Sequence, residues 1–566
     1  MRFFHPRYGR VLYTGRHVMT KPKKCFLLSL LCGLSVFSAP LFAQEALLSI
    51  EERYFDFLAL RGLTQRPYLN FRTMSDSVWA IDDDLEHPWR SQRLGTFHPM
   101  FGDFRARIYG PELFMSVNTT APFGQNDGVL WQGRGFNAKF RSGARIEGHG
   151  LELTLLPHFA FSQNAHFDIL PSAFENEFGY FWGYGVDAPQ RFGDRPFFDW
   201  DFGDSEIRYT WRTLTVGFGT QAIWLGPSYL HSILHSNNAP TYPRFDIGLR
   251  RQRVTVPWLG WNAGYAEARL WIGRLSASDF SGSDDSNHYT MFHGLALAYA
   301  PSFLPGLTLF ANRVALVPWE WENLRFVLPR AINHIEDQKA SFGFSWIFPQ
   351  VGFEAFAELG VDDFIAKVRG VTASRILAYM RNLYHTMVFT AGIRKAVTVS
   401  EQRNIFGKIV FEWSHMEMSQ TFQFQWPYSF YFHHQLIHGY TNRGQWLGNG
   451  FNPGGNAQYL SFRLFYPRGT SSFFIHRYNP DNNYIYQYAI RTTPADYHHS
   501  TFIQGFKGNF VLGATTHYWL TDSLSIGGTL AYILTINPFY FHNRARPLYE
   551  EFRHNFHVSL LVRYTF

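Results

Sequence analysis

The eleven residues from Phe556 to Phe566, FHVSLLVRYTF, alternate in character. Phe556, Val558, Leu560, Val562, Tyr564 and Phe566 are all apolar, whereas among His557, Ser559, Leu561, Arg563 and Thr565 only Leu561 is. Successive side chains of a strand point to opposite faces, so this stretch carries one apolar face and one polar face. Its length fits the roughly 9–11 residues with which a tilted strand crosses a bilayer. An edge strand of a soluble sandwich would alternate in the same way. The choice between the two rests on the remainder of the chain.

At the other end, Lys21, Lys23 and Lys24 precede an apolar run from Phe26 to Phe37, followed by Ser38-Ala39-Pro40-Leu41-Phe42-Ala43. Basic, then apolar, then small is the order of a secretory signal peptide, here residues 1–43 with cleavage expected after Ala43. Cys32 lies inside the apolar run behind Leu31, which argues against a lipoprotein. Met1 to Val18 adds no signal-like feature, so residues 1–18 read as a misassigned start with Met19 as initiator. For an exported chain, the closing strand gains meaning. Its final Phe566, with Tyr564 two residues before, resembles the C-terminal membrane-assembly signal of bacterial outer-membrane barrels. Outer-membrane lipid and, during biogenesis, the barrel-assembly machinery are then the expected partners.

The formal charge of +7 is deceptive. Seven of the 51 basic residues and none of the 44 acidic ones fall within the first 43 positions, so the rest of the chain balances. The basic pI therefore gives no reason to expect nucleic acid. Both cysteines, Cys25 and Cys32, also lie in the leader, leaving residues 44–566 without a thiol for a disulfide, a metal or a nucleophile. Beyond the leader no apolar run is long enough for a transmembrane helix. Yet 46% of the chain is hydrophobic and 19% aromatic. Transmembrane barrels combine these properties, because lipid-facing residues alternate with polar ones and aromatics gather at both interfaces.

Residues 44–103 differ in pattern from residues 104–566. Leu47, Ile50, Tyr54, Phe57 and Leu58 fall at helical spacing, Gly62 is a suitable stop, and a second helical turn is expected near Asp76 to Ile81. This reads as a small helical, periplasmic N-terminal segment. Over residues 104–566 the period changes to two. Phe136, Ala138, Phe140, Ala144 and Ile146 alternate with Asn137, Lys139, Arg141, Arg145 and Glu147. After Gly148-His149-Gly150, the residues Leu151, Leu153, Leu155, Phe159 and Phe161 continue the pattern, as a hairpin would. The alternation recurs at Phe245, Ile247 and Leu249, at Ile405, Ile409, Phe411 and Trp413, and at Leu524, Ile526, Leu530 and Tyr532. Such charged inner faces suit a polar lumen. The expectation is an all-β transmembrane barrel of 16 to 18 such strands, built from one chain as a monomer. Short turns, such as Thr521-Asp522-Ser523, are expected at the periplasmic end. Long connections near 162–203, 226–243, 317–338, 361–378 and 420–456 are expected outside or in the lumen, where barrel function commonly lies.

Two loops stand out, WLGPSYLHSILHSNNAP at 224–240 and QNDGVLWQGRG at 125–135. Trp beside Asn, Asp, Gln and Gly suits carbohydrate, since sugar C–H faces pack on rings while amides and carboxylates take hydroxyl pairs. On composition alone the reading of Trp131 and Trp224 as girdle aromatics, with the Asn, Asp and Gly residues as turn formers, is the favoured one. Catalytic signs are lacking: no G-x-S-x-G or H-E-x-x-H occurs. His433, His434 and His438 read as polar lining rather than a metal set, and Glu147 with Glu152 as ordinary lumen charge. No catalytic residue, metal ligand or cofactor is assigned.

Trp224, Gly226, Pro227, Leu234, Ser236, Asn237, Asn238, Ala239 and Pro240 lie close to a W-G-P-G…L-S-N-N-A-x-P signature, in which the chain resembles the capsule-assembly Wzi family of outer-membrane proteins. HIEDQKASFGF at 334–344, FEAFAELGVDD at 353–363 and GQWLGNG at 444–450 are weaker similarities in the same order. Ser228 in place of Gly and Val361-Asp362 in place of Glu-Asp depart from the pattern. The resemblance implies an 18-stranded antiparallel barrel with a periplasmic helical bundle and a lumen largely closed by loops and helices. It also implies a non-enzymatic, lectin-like role with surface or capsular polysaccharide as partner. Trp224, Asn237 and Asn238, with Asn126, Asp127 and Trp131, are the expected carbohydrate-binding residues. A passive or sugar-selective porin is the alternative, and an open lumen would distinguish it.

Overall fold

The computed structural model describes residues 42–44, 49–81, 86–92, 94, 97–281, 289–327, 336–362, 384–419, 429–451, 453–486, 505–540 and 551–566. Apart from residues 42 and 43, the expected leader, with Met19, Cys25 and Cys32, lies outside them, as does most of the connection expected at 361–378.

Among the described residues the chain closes into an antiparallel barrel of eighteen staves. They are β1 (Arg105–Asn118), β2 (Gly135–Gly148), β3 in two pieces (Leu151–Leu155 and His158–Ser162), β4 in two pieces (Phe197–Asp201 and Glu206–Trp211), β5 (Leu214–Gly219) and β6 (Arg244–Thr255). The next six are β7 (Asn262–Ser276), β8 (Tyr289–Pro301), β9 (Leu307–Pro318), β10 (Asp337–Phe348), β11 (Phe353–Asp362) and β12 (Val388–Ser400). The last six are β13 (Ile405–His415), β14 (Asn456–Tyr466), β15 (Gly469–Asn479), β16 (Gly508–Trp519), β17 (Leu524–Ile536) and β18 (Phe552–Tyr564). β18 closes the sheet on β1, with Val558 opposite Val117 and Leu560 opposite Met115. Closure leaves no unpaired strand edge for lipid to meet.

The alternation read in β18 is the one observed. Phe556, Val558, Leu560 and Tyr564 are exposed on the outer wall, whereas Asn555 and His557 are buried inside. The β2–β3 hairpin turns at His149 and Gly150, both at positive φ, the geometry a two-residue hairpin turn requires. Short turns gather at one end of the barrel and longer connections at the other. The connections at 277–288, 480–507 and 537–551 belong to the longer set, although their mixed aromatic and polar character does not announce them.

Residues 49–81 occupy the lumen rather than forming a separate periplasmic body. Helix α1 (Ile50–Leu60) is capped by Ser49, whose Oγ accepts the Glu52 N–H at 3.1 Å, and it stops at Gly62 with φ +74°. Tyr54 and Phe57 pack on Phe465 of β14, and Trp89 on Trp519 of β16. Polar ties seat the same segment on inward side chains. Arg66 joins Asp56 (2.6 Å) to Glu354 of β11 (2.7 Å), Lys408 of β13 reaches Asp56 at 2.6 Å, and Arg269 of β7 reaches Asp76 at 2.8 Å. Buried pairs of this kind contribute register more than net stability, because desolvation offsets most of the attraction. The second helical turn expected near Asp76 to Ile81 is not formed. One turn ends at Ser77, and Val78–Ala80 is a strand paired with Phe42–Gln44, as a β-branched and aromatic triplet favours.

Candidate functional site

At the long-loop end, a cleft of about 320 Å³ opens between the connections 119–134, 163–196 and 444–451 and the tops of β15 to β18. Its wall is built outward from the strands. Asn118, the last residue of β1, donates from Nδ2 to the carbonyls of Phe123, Gln132 and Gly133, which folds the 119–134 loop back over the barrel mouth. Asn555 of β18 holds the start of that loop, accepting the Thr120 N–H at 2.8 Å and donating to the Ala121 carbonyl at 2.9 Å. Gln132 then donates to Asp127 Oδ2 at 2.7 Å, and Lys139 Nζ to the Asp127 carbonyl at 3.0 Å. Burial pushes the Asp127 carboxyl up, against the opposing Lys139 charge.

Aromatic rings supply the apolar part. Trp131 lies against Phe167, Phe192 and Phe197, and Tyr180 meets Trp446 edge-on at 5.8 Å. Lys507 and Arg553 bring cations to the same cleft, and burial with the neighbouring Arg553 brings the Lys507 ammonium down to about 8. Beside them, the Asp481 carboxylate accepts Tyr180 Oη and Trp182 Nε1, both at 2.7 Å. Burial pushes this carboxyl up to about 6, although those two donors oppose the shift. A folded-state value above the ordinary one means that the fold favours the protonated acid. Its contribution is therefore largest below about pH 4 and is lost as pH rises to about 6. Resistance of the loop cluster to denaturant, followed by tryptophan fluorescence, is expected to be greater at pH 4 than at pH 7.5. Asp481→Asn is expected to flatten that difference; an undiminished slope would assign it to other groups.

The six residues expected to bind carbohydrate separate in the structure. Asp127, Trp131 and Asn238 line the outer cleft, while Asn126 and Asn237, again with Asp127, line a second cavity beneath it. Trp224 lies in neither: it is fully buried, its backbone pairs with Arg72, and the Arg72 guanidinium covers its ring at 5.1 Å. The apolar ring is used to hold the N-terminal segment and presents no face to a ligand. Asn238 also ties loops together, accepting the Asn126 N–H at 3.0 Å and donating to the Trp446 carbonyl at 2.9 Å. Ser236 N–H reaches the Leu447 carbonyl at 2.8 Å, so 224–240 and 444–450 pack on each other. Both stretches carried the sequence similarity, and their distinctive residues serve this contact. Lys507, Arg553 and Tyr180 escaped sequence reading, since nothing local distinguishes them from other loop aromatics and cations, and Trp446 lay in the GQWLGNG stretch without being named as a site residue.

The closed eighteen-stave sheet, its apolar outer face and its aromatic rims define a bacterial outer-membrane β-barrel filled by its own N-terminal segment. In fold it is similar to Wzi of Escherichia coli, described as an outer-membrane protein involved in group 1 capsule assembly and a carbohydrate-binding β-barrel. That likeness has a TM-score of 0.50 at 13% identity, over 82% of this chain and 84% of that one. OprB of Pseudomonas putida (TM-score 0.35, 11% identity, 82% and 94% covered) and a BenF-like porin of Pseudomonas fluorescens (0.39, 9%, 82% and 99%) are also similar. No protein-family model and no curated protein sequence matches the chain.

Proposed function

We propose that this barrel binds surface polysaccharide at its outer cleft and takes part in capsule assembly or attachment. The observation carrying this reading is the cleft itself: the rings of Trp131 and Tyr180, the side chains of Gln125 and Asn238, and the charged groups of Asp127, Lys507 and Arg553 line one open volume. Such a set matches the alternating apolar and hydroxylated faces of a sugar chain. The carbohydrate-binding description of the E. coli barrel agrees with it. A passive or sugar-selective porin, the alternative, would need an open lumen, and here the N-terminal segment spans between β6, β7, β9, β11 and β13.

The test is a glycan array probed with refolded protein. Trp131→Ala with Asp127→Ala is expected to lower binding about tenfold or more, the loss of one stacking face and one hydrogen-bonding pair. Mobility of the unheated barrel on gels should stay that of the folded form. Unchanged binding by a folded variant would remove the cleft from the site, and binding to no glycan would overturn the reading.

A further inference from the structure

Below the outer cleft lie two more cavities, one of about 210 Å³ and one of about 40 Å³ near the short-turn end. The three adjoin. Asp127 belongs to the walls of both the first and the second, and Glu112, Arg141 and Arg563 to those of both the second and the third. The lower two lie along one seam, between the lumenal segment and β18, β1 and β2, and the outer cleft opens above that seam, sharing Asp127 and the upper part of β18. Along β18 the lining passes from Arg553 and Asn555, through Leu561 and Arg563, to Thr565. Twelve residues of strand cover roughly 40 Å, and a tilt near 40° leaves about 30 Å along the membrane normal, the thickness of the hydrocarbon core. The series thus reaches across the bilayer.

Its two narrow points are made of polar side chains rather than packed apolar ones. The upper is Asp127, held by Gln132 and Lys139. The lower is the bidentate Arg141–Glu112 pair (2.7 and 2.8 Å) beside the Arg563–Glu51 pair. Ion pairs of this sort offer alternative partners to a passing ion, and the smallest cavity has no room for a sugar ring.

We propose that this seam is a conduction path for small inorganic ions, running beside the lumenal segment and opening into the outer cleft. The path is narrow, and its upper end, at Asp127, is shared with the proposed glycan cleft.

Full-length protein in planar bilayers with symmetrical potassium chloride tests this. A small steady conductance is expected. Ala222 lines the middle cavity, and an added thiol there fits with little change in volume. After Ala222→Cys, a charged thiosulfonate reagent is expected to lower the conductance by about threefold or more, while the same reagent leaves the unsubstituted protein unchanged. Glu112→Gln, which weakens the lower pair, is expected to raise it. Bilayers as silent as protein-free ones would overturn the path. So would a labelled Ala222→Cys channel that conducts as before, since the current would then run elsewhere.

Discussion

Glu267→Ala is expected to release the N-terminal segment from the barrel. The Glu267 carboxylate, projecting inward from β7, accepts three consecutive amides of that segment: Leu69 at 2.7 Å, Asn70 at 3.0 Å and Phe71 at 2.7 Å. Truncation leaves these N–H groups unsatisfied, at about 1–3 kcal/mol each, so the loss is on the order of 3–6 kcal/mol once relaxation is allowed for. That is a large part of the roughly 5–15 kcal/mol by which folded domains are typically stable. Arg66 between Asp56 and Glu354 holds the helix, and residues 69–71 then keep the Asn70 side-chain bonds to Asn312 and Gly226. Proteolysis and conductance both read the release. Protease added from the short-turn side is expected to cut within residues 62–75 of the variant and to spare the unsubstituted protein. Bilayer conductance is expected to rise well above that of the seam. Glu267→Gln keeps Oε1 for Asn70 and Phe71 and loses the Leu69 acceptor, so an intermediate sensitivity is expected. Protease resistance equal to the original in Glu267→Ala would show that the anchor is dispensable.

The barrel was legible because a membrane-crossing strand has only two environments. Each outward position must suit lipid and each inward one a polar lumen, so Phe556, Val558 and Leu560 against Asn555 and His557 state the fold locally. The lumenal filling was not legible, because its partners lie far apart in sequence. Glu267 meets residues 196 to 198 positions away, and neither YLNF at 68–71 nor the strand around Glu267 announces that contact. Trp224 shows the same limit from the other side. A tryptophan in a loop rich in Gly, Pro and Asn reads as a sugar platform, yet its ring is closed off by Arg72, a residue the loop itself says nothing about. Asp127 and Trp131 come to line the outer cleft because Asn118 and Asn555 fix their loop at the barrel mouth, ties to the two closing strands that the loop's own residues do not state.

A second inward carboxylate repeats the device on the 220–243 loop. Glu412 of β13 is fully buried and accepts the amides of Tyr229, Leu230 (3.1 Å) and His231 (2.9 Å). His231 Nδ1 also lies 3.0 Å from it. Glu412→Ala is expected to cost on the order of 3–6 kcal/mol for the same reason, three buried donors losing one acceptor group. Because Ser236 and Asn238 of this loop bind 446–448 and Asn126, the outer cleft is expected to lose glycan binding as well. The two anchors are not independent. Asn70 Oδ1 accepts the Gly226 N–H at 3.0 Å, and the Arg72 and Trp224 backbones pair, so the loop and the lumenal segment lie side by side. Once one is released, part of what the other anchor holds is already lost. Residues in one network commonly couple by roughly 0.5–3 kcal/mol, so Glu267→Ala with Glu412→Ala is expected to cost about 1 kcal/mol or more below the sum of the single losses. Denaturant unfolding of the four proteins measures this. Additivity to within about 0.5 kcal/mol, as distant sites show, would mean that segment and loop are held separately.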